Sequence, residues 1–484
     1  MSDQLLQEIV SLNGLKVRRK RDSDAFEVQE TEQPLTVQAL CQIAERNPPN
    51  RDKLLKAQQL RNSGPSFALW PPGINNQDLS KMGWAIIFPA EKPKSEIAPV
   101  LEKLGSLIEL RRKQTGERYK QFWGETGIAK TDTIETYLQK FQLAPGIKRL
   151  KVFPGYLLLV GSPEEISYKL QYQLDVEYCV GRLYFENLDD FETYARSVVR
   201  AETSTDKLIA PQAVLFGPDN LRSKATKQSA ERLIPPLEAG LNGSEVVEGW
   251  QIQRIEPQNA TRDTLDALLN GANPPALLFT ATHGLSFEWG DADQELYQGA
   301  LVCQDWLDGG ILRRQDFFAA DNLNHDANLE NTFAFLFACY GAGTPKFDDF
   351  TDPELSSSPE IARRPFLAAL PRAMLKRGAL GVAGHVDRAW TYSFKWLSEH
   401  AQPETFQFAF ETLMSGKRIG TAMDYFNERY SVTATRLTSL LQYWDPESGT
   451  GVRPDPFELS LNWTAHNDAR NYILLGDPAA KYPD

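Results

Sequence analysis

Short, unbroken apolar runs set the pattern of this chain. Trp84-Ala85-Ile86-Ile87-Phe88 stops at Pro89, and Tyr156-Leu157-Leu158-Leu159-Val160 stops at Gly161. Runs of this kind fit strands buried on both faces, not the alternation of a half-exposed strand. Between them, Ile97, Leu101, Leu104 and Ile108 form one stripe, predicting a helix over residues 95–119 capped by Ser95. A second helix is predicted over 188–200, so helix and buried strand alternate, as in an α/β layer.

Downstream, Ala213-Val214-Leu215-Phe216 and residues 250–255, 276–280, 333–337, 379–383 and 472–475 read as strands. Helices are predicted over 223–233, from a Thr261 cap through Leu265, Leu268 and Leu269, and over 365–377. Strands separated by helices pair in parallel, so the expected core is a mostly parallel sheet flanked by helices. Residues 1–65 are polar and helix-leaning and close at Asn62-Ser63-Gly64-Pro65, a boundary signal. The polar stretch 201–207 suggests a further boundary. The expected organisation is a helical N-terminal segment (1–65), a smaller α/β subdomain (66–205) and a larger α/β domain (206–484).

Composition narrows the function classes. A chain of 484 residues exceeds one ordinary core, and 42% hydrophobic with 24% charged residues is the profile of a globular protein. The formal net charge of −12 argues against nucleic acid as a partner. The basic run Arg18-Arg19-Lys20-Arg21 is followed by acidic residues and reads as a solvated face. Cys41, Cys179, Cys303 and Cys339 are far apart, without metal-ligand spacing, which fits a reducing compartment and no disulfide framework. No export signal and no bilayer-length apolar run is evident, so the expected address is the cytoplasm, without membrane contact. No glycine-rich phosphate loop follows any predicted strand, against a nucleotide-binding enzyme.

The candidate chemistry sits at two strand ends. Residues 276–280 run into Ala281-Thr282-His283-Gly284, and residues 333–337 into Ala338-Cys339-Tyr340-Gly341. Ligands bind outside the carboxyl ends of parallel strands, so neighbouring strands here would deliver both side chains to one crevice. A thiol becomes a strong nucleophile when an imidazole takes its proton, which makes Cys339 the nucleophile and His283 its base. Gly284 allows close approach of backbone to a substrate carbonyl, and Gly341 and Gly343 allow a sharp turn after the thiol. The amides of Gly284 and Cys339 are the oxyanion-hole candidates. His283 precedes Cys339 by 56 positions, close to the caspase spacing of about 50. No cofactor or metal is required.

The stretch from about 277 to 390 resembles the catalytic domain of gingipain-type cysteine peptidases, relatives of caspases and of the CHAT proteases. The matching pieces are Thr282-His283-Gly284, Phe287-Glu288-Trp289-Gly290, Phe337-Ala338-Cys339, Gly378-Ala379-Leu380-Gly381-Val382-Ala383-Gly384 and Trp390, with Leu474-Leu475-Gly476-Asp477-Pro478 near the end. Upstream, Tyr156 to Gly161, Asp175-Val176-Glu177-Tyr178 and Gly181-Arg182-Leu183 resemble that family's non-catalytic N-terminal subdomain. The resemblance implies a caspase-like fold and an endopeptidase acting on a protein or peptide substrate, with a regulatory protein partner; secreted gingipains carry export signals, and none is evident here, which points to an intracellular relative. It gives His283 and Cys339 the dyad roles and Trp390 a place in the pocket for the residue before the cleaved bond. Asp219 takes the neighbourhood of an acidic residue that selects basic side chains. An acidic group orienting the histidine is implied as well, but Gly217-Pro218 stands where it would be sought.

Other readings stay open. His385, in Ala383-Gly384-His385-Val386-Asp387, also follows a strand and is the rival base. Asp219 suits a turn residue in Gly217-Pro218-Asp219-Asn220, and Trp390 suits a core. The polar stretch 348–364 and the pair Arg313-Arg314 are candidate places for self-cleavage or surface loops. The functional rival is a non-catalytic scaffold that keeps the fold and binds partners.

Overall fold

The computed structural model describes residues 11–12, 15–20, 25–29, 74–205, 211–220, 223–307, 310–350, 360–396, 401–445 and 450–483. Three short strands come first: β1 (Ser11–Leu12), β2 (Leu15–Arg19) and β3 (Ala25–Val28). Here the chain is extended where helix is expected; the rest of the 1–65 segment lies outside the described residues. Leu15 and Val17 of β2 are fully buried while Arg18 and Arg19 are exposed, so only two apolar positions carried a strand signal.

The first sheet block contains β4 (Trp84–Ile87), β5 (Tyr119–Phe122), β6 (Tyr156–Val160) and β7 (Cys179–Leu183). Its helices include α1 (Lys94–Lys103), α2 (Gly105–Thr115) and α3 (Leu188–Thr203). The helix expected over 95–119 is thus two helices meeting at Leu104, and Pro93, not Ser95, precedes the first turn. Strand β5 reads Tyr-Lys-Gln-Phe and closes one edge of the sheet, where polar residues are tolerated.

The second block supplies β8 (Gln212–Phe216), α4 (Lys224–Gln228), β9 (Gln251–Arg254), α5 (Arg262–Asn270) and β10 (Leu277–Ala281). There follow β11 (Leu285–Phe287), β12 (Ile311–Arg313), β13 (Phe333–Phe337), α6 (Ala369–Lys376), β14 (Gly381–His385) and β15 (Ala389–Trp390). The last elements are α7 (Glu404–Met414), α8 (Asp424–Leu441), α9 (Pro456–Arg470) and β16 (Tyr472–Gly476).

Ten of these strands form one sheet in the order β5-β4-β6-β7-β16-β14-β13-β10-β8-β9. Every neighbouring pair is parallel except β14 with β16. The fold is therefore mixed α/β, a large, mostly parallel sheet flanked by helices, as expected. Strand β16 runs parallel to β7 and antiparallel to β14, so the two parallel blocks point their carboxyl ends to opposite edges. The strands of residues 84–183 and those from 212 onward share that sheet and one continuous apolar core.

Central strands such as Phe333–Phe337 are buried at every position, with Phe406 of α7 and Phe426 of α8 packed 5.5 and 5.1 Å from Phe335. Burying each such ring contributes up to about 3 kcal/mol against an exposed reference. The blocks are tied at the end of β16. Arg111 of α2, fully buried, pairs with Glu202 of α3 at 2.6 Å and with Asp477 at 2.7 Å, while Trp84 Nε1 donates to Asp477. Gly181 faces this turn so closely that a Cβ would stand 2.1 Å from the Gly476 carbonyl oxygen. The Gly476-Asp477-Pro478 motif thus has a structural use.

A separate four-stranded sheet, β11-β2-β3-β12, lies beside the second block. Strand β2 adds in parallel to β11, pairing Leu15 with Leu285 and Val17 with Phe287. Leu15, Val17, Phe26, Leu285, Phe287 and Leu312 fill its core. Arg19 of the basic run chelates Asp293 with two hydrogen bonds, at 2.5 and 2.9 Å.

Candidate active site

Strands β10 and β13 are adjacent and parallel, with Ala281 opposite Phe337. Two residues beyond that pair come His283 on one strand and Cys339 on the other. Thr282 N still donates to Phe337 O at 3.1 Å, so the register carries past the strand ends. A Cβ on Gly284 would lie 1.9 Å from the Cys339 carbonyl oxygen and 3.2 Å from its nitrogen. The backbone of His283-Gly284 therefore rests directly against that of Cys339, at the carboxyl edge of the second block. Only glycine permits this approach.

The two side chains make different contacts. His283 Nε2 lies 2.7 Å from Ser223 Oγ, and its ring meets Trp306 edge-on at 6.5 Å. Ser223 is the N-cap of α4 and accepts from Thr226 N at 3.2 Å. Its hydroxyl can then donate to an Nε2 lone pair, which places the imidazole proton on Nδ1, or accept from an Nε2 proton. On the other side, Ala389 N of β15 donates to Cys339 Sγ at 3.2 Å, and Sγ lies 3.7 Å from Ala389 O. Cys339 is 0% exposed and His283 3% exposed.

The left-handed turn after the thiol falls on Tyr340 (φ 58°), not on the expected Gly341 or Gly343. Tyr340 N donates to Asp387 O at 2.7 Å, and Asp387 is itself left-handed (φ 77°). Non-glycine residues held there cost of order 1–3 kcal/mol and persist where their surroundings enforce them. Gly341 and Gly343 serve packing: a Cβ on Gly343 would meet Tyr168 Oη at 2.0 Å. Among the described residues, the Gly284 amide donates to no backbone carbonyl.

The other sequence candidates occupy several settings. Asp219 lies after β8, the strand on the far side of β10, in the loop that leads to Ser223. Its backbone is clamped by Gln304, at 2.7 and 3.0 Å, and burial followed by the nearby Glu231 pushes its carboxyl up. Trp390 is 1% exposed and packs at a tilt against Phe350, 5.1 Å between ring centroids, in a cluster with Trp463, so its ring belongs to a core. Its backbone N donates to Asp468. His385, the rival base, is fully buried; its Nε2 lies 2.9 Å from Asp468 O, and Asp468 also bonds Ser393. It supports β15 from behind. Burial pushes the Cys179 and Cys303 thiols well up, the mark of inert structural cysteines. Cys41 lies outside the described residues.

Ser223 is the residue that sequence reasoning missed as a partner of His283. The sequence placed it only at the start of a predicted helix; its cap and its contact with a histidine 60 residues away depend on the folded chain and the β8–β10 pairing. Arg314 is tied to Asp321 and Asn322, and Arg364 to Glu295. Residues 351–359 lie outside the described residues. A cavity of about 410 Å³, lined among others by Phe88, Lys92, Glu96 and Gly161, opens beyond β4 and β6. The reversal at β16 puts it at the opposite edge of the sheet from His283. Among the described residues, no group of acidic, histidine or cysteine side chains could hold a metal, and no helix is long and apolar enough to cross a membrane.

No family model and no curated protein matches the chain. Several solved structures do. One, described as a protease, is 13% identical over 84% of this chain and 79% of its own, with a TM-score of 0.48. The Arg-specific cysteine proteinase gingipain R is 15% identical over 85% and 80%, with a TM-score of 0.47. Separase in its complex with securin from Saccharomyces cerevisiae is 9% identical over 67% of this chain and 16% of its own, at 0.26.

Proposed function

We propose that the chain is a cysteine endopeptidase with Cys339 as nucleophile and His283 as acid and base. The observation that carries this reading is the contact of Gly284 with the Cys339 backbone, which brings two strand ends bearing an imidazole and a thiol to one edge.

In this mechanism the thiol proton passes to the imidazole, and Sγ attacks a peptide carbonyl carbon. A C–S bond forms as the oxygen gains charge, which the amides of Gly284 and Cys339 receive; one such donor is worth about 3 kcal/mol. Collapse breaks the C–N bond, and His283 protonates the leaving amine. Water then attacks the thioester, releasing the carboxylic acid and returning the proton to sulfur. Ser223, 2.7 Å from Nε2, orients the ring for this proton traffic. A hydroxyl thus takes the place where an acidic group is implied.

Asp219, on the loop before Ser223, and Trp390, beside the thiol on β15, flank the dyad from its two sides. A preference for basic residues before the cleaved bond, through Asp219, belongs to this reading, as does action on a protein substrate inside the cell under control of a partner. The burial of both Sγ and imidazole favours a rival, a non-catalytic scaffold with a relic dyad. A positional-scanning peptide library separates them: the peptidase cleaves a defined subset and Cys339→Ala abolishes it, whereas a scaffold cleaves nothing.

A further inference from the structure

Strand β15 leaves the site with Ala389 bonded to the Cys339 sulfur, and its open edge is taken by the chain's own N-terminus. Strand β1 pairs with it antiparallel, Ser11 opposite Trp390 and Leu12 opposite Ala389. The chain thus advances from Trp390 toward the thiol. Three residues further on, Leu15 N donates to Gly284 O at 3.0 Å, and β2 adds onto β11. Three Cα steps span at most about 11 Å. The N-terminus is therefore anchored on the Cys339 side by β1 and on the His283-Gly284 side by Leu15. Cα atoms of β1 also come within 8 Å of α4, the helix that Ser223 caps.

An endopeptidase needs its substrate extended, with backbone hydrogen bonds beside the nucleophile, and a free strand edge supplies them by strand addition. We propose that Ser11–Leu12 occupies the substrate's seat on Ala389–Trp390, so that the N-terminal segment acts as an internal competitive inhibitor. This regulation rests on the peptidase reading, since it assigns β15 to substrate binding. It accounts for a nucleophile and base that are both buried. The hairpin β2–β3, anchored by its own apolar core and the Arg19–Asp293 pair, keeps the inhibitor tethered at high effective concentration. Displacement of β1 alone, with the hairpin in place, is sufficient to open the seat.

The test is the rate at which iodoacetamide alkylates Cys339 in the full chain, read by peptide mass mapping. Prolines at both positions, Ser11→Pro with Leu12→Pro, remove every amide that β1 can donate. The double variant should alkylate at Cys339 at least tenfold faster than wild type, with Cys179 and Cys303 still protected. A synthetic peptide spanning residues 5–20 should slow it again. Equal rates, with those two cysteines protected, would overturn the proposal. Should the proline variant expose Cys179 and Cys303, the milder Ser11→Gly with Leu12→Gly decides by the same readout, with a smaller gain expected. Alkylation requires no peptide cleavage, so the two ideas fail separately. Faster alkylation without any hydrolysis shows that β1 covers the thiol and sinks the peptidase; equal peptide hydrolysis by wild type and variant keeps the peptidase and sinks the inhibitor.

Discussion

Ser223 joins His283 through a 2.7 Å contact between Oγ and Nε2, and the same hydroxyl caps α4. One oxygen thus serves a helix end and a candidate base. Ser223→Ala should lose about 1 kcal/mol of stability through the cap. It should lower kcat for peptide hydrolysis about tenfold, the worth of one hydrogen bond, with KM nearly unchanged. Ser223→Thr should restore both. A stability loss without any change in kcat would mean that the contact does not position the ring.

At Gly284 the prediction is steric. A methyl group there would need space held by the Cys339 carbonyl, and backbone cannot swing aside as a long side chain can. Gly284→Ala should therefore cost on the order of 1–3 kcal/mol in urea denaturation and separate His283 from Cys339. Peptidase activity should fall more steeply than stability does. Unchanged stability would refute the close approach.

Much of the fold was legible because a strand buried on both faces reads as an unbroken apolar run. Phe333–Phe337 and Leu277–Ala281 show this, and a chemically capable residue lies two positions beyond each. Strand β5 hid behind Lys120 and Gln121, tolerated at a sheet edge, and β1 is too short for any period to register. The direction of β16 also escaped, because an apolar run carries no sign of polarity. His283 and Cys339 were singled out as candidates by type and spacing. The left-handed Tyr340 and the second role of Ser223 depend on neighbours distant in the chain.

Behind the thiol, Asp387 supplies a pH prediction. Burial pushes its carboxyl well up, Arg388 opposes that, and Asp348 and Asp349 add to it. Arg388 is held by Asp348 at 2.6 and 3.0 Å. A folded-state pKa above the unfolded value of 3.8 gives stability that is complete below 3.8 and lost as pH rises through the folded value. Asp387→Asn should flatten that decline and, since asparagine tolerates positive φ, keep the turn. Urea titrations from pH 4 to 9 on both proteins check this; parallel curves would contradict it.

The buried cluster at the junction of the blocks titrates in the opposite sense. Burial alone would push the Glu202 carboxyl up, but Arg111's charge and hydrogen bonds outweigh it and hold the group below 4.5. Its contribution is complete above that pH and is lost as pH falls through the folded value. Arg111→Met should cost about 3–5 kcal/mol at neutral pH, because it strands two buried carboxylates. Thermal melts at pH 7 and pH 4 should show the gap between wild type and variant narrowing in acid.

The central claim is that His283 and Cys339 act together on a peptide carbonyl, and trapping the thioester tests it most directly. The protein is mixed with a cleavable peptide ester, quenched in acid within a turnover and mapped by mass. An acyl adduct on Cys339 is predicted, absent in Cys339→Ala and formed at least a hundredfold more slowly in His283→Ala. No adduct on Cys339 while the ester is still hydrolysed, or adduct formation indifferent to His283, would contradict the account.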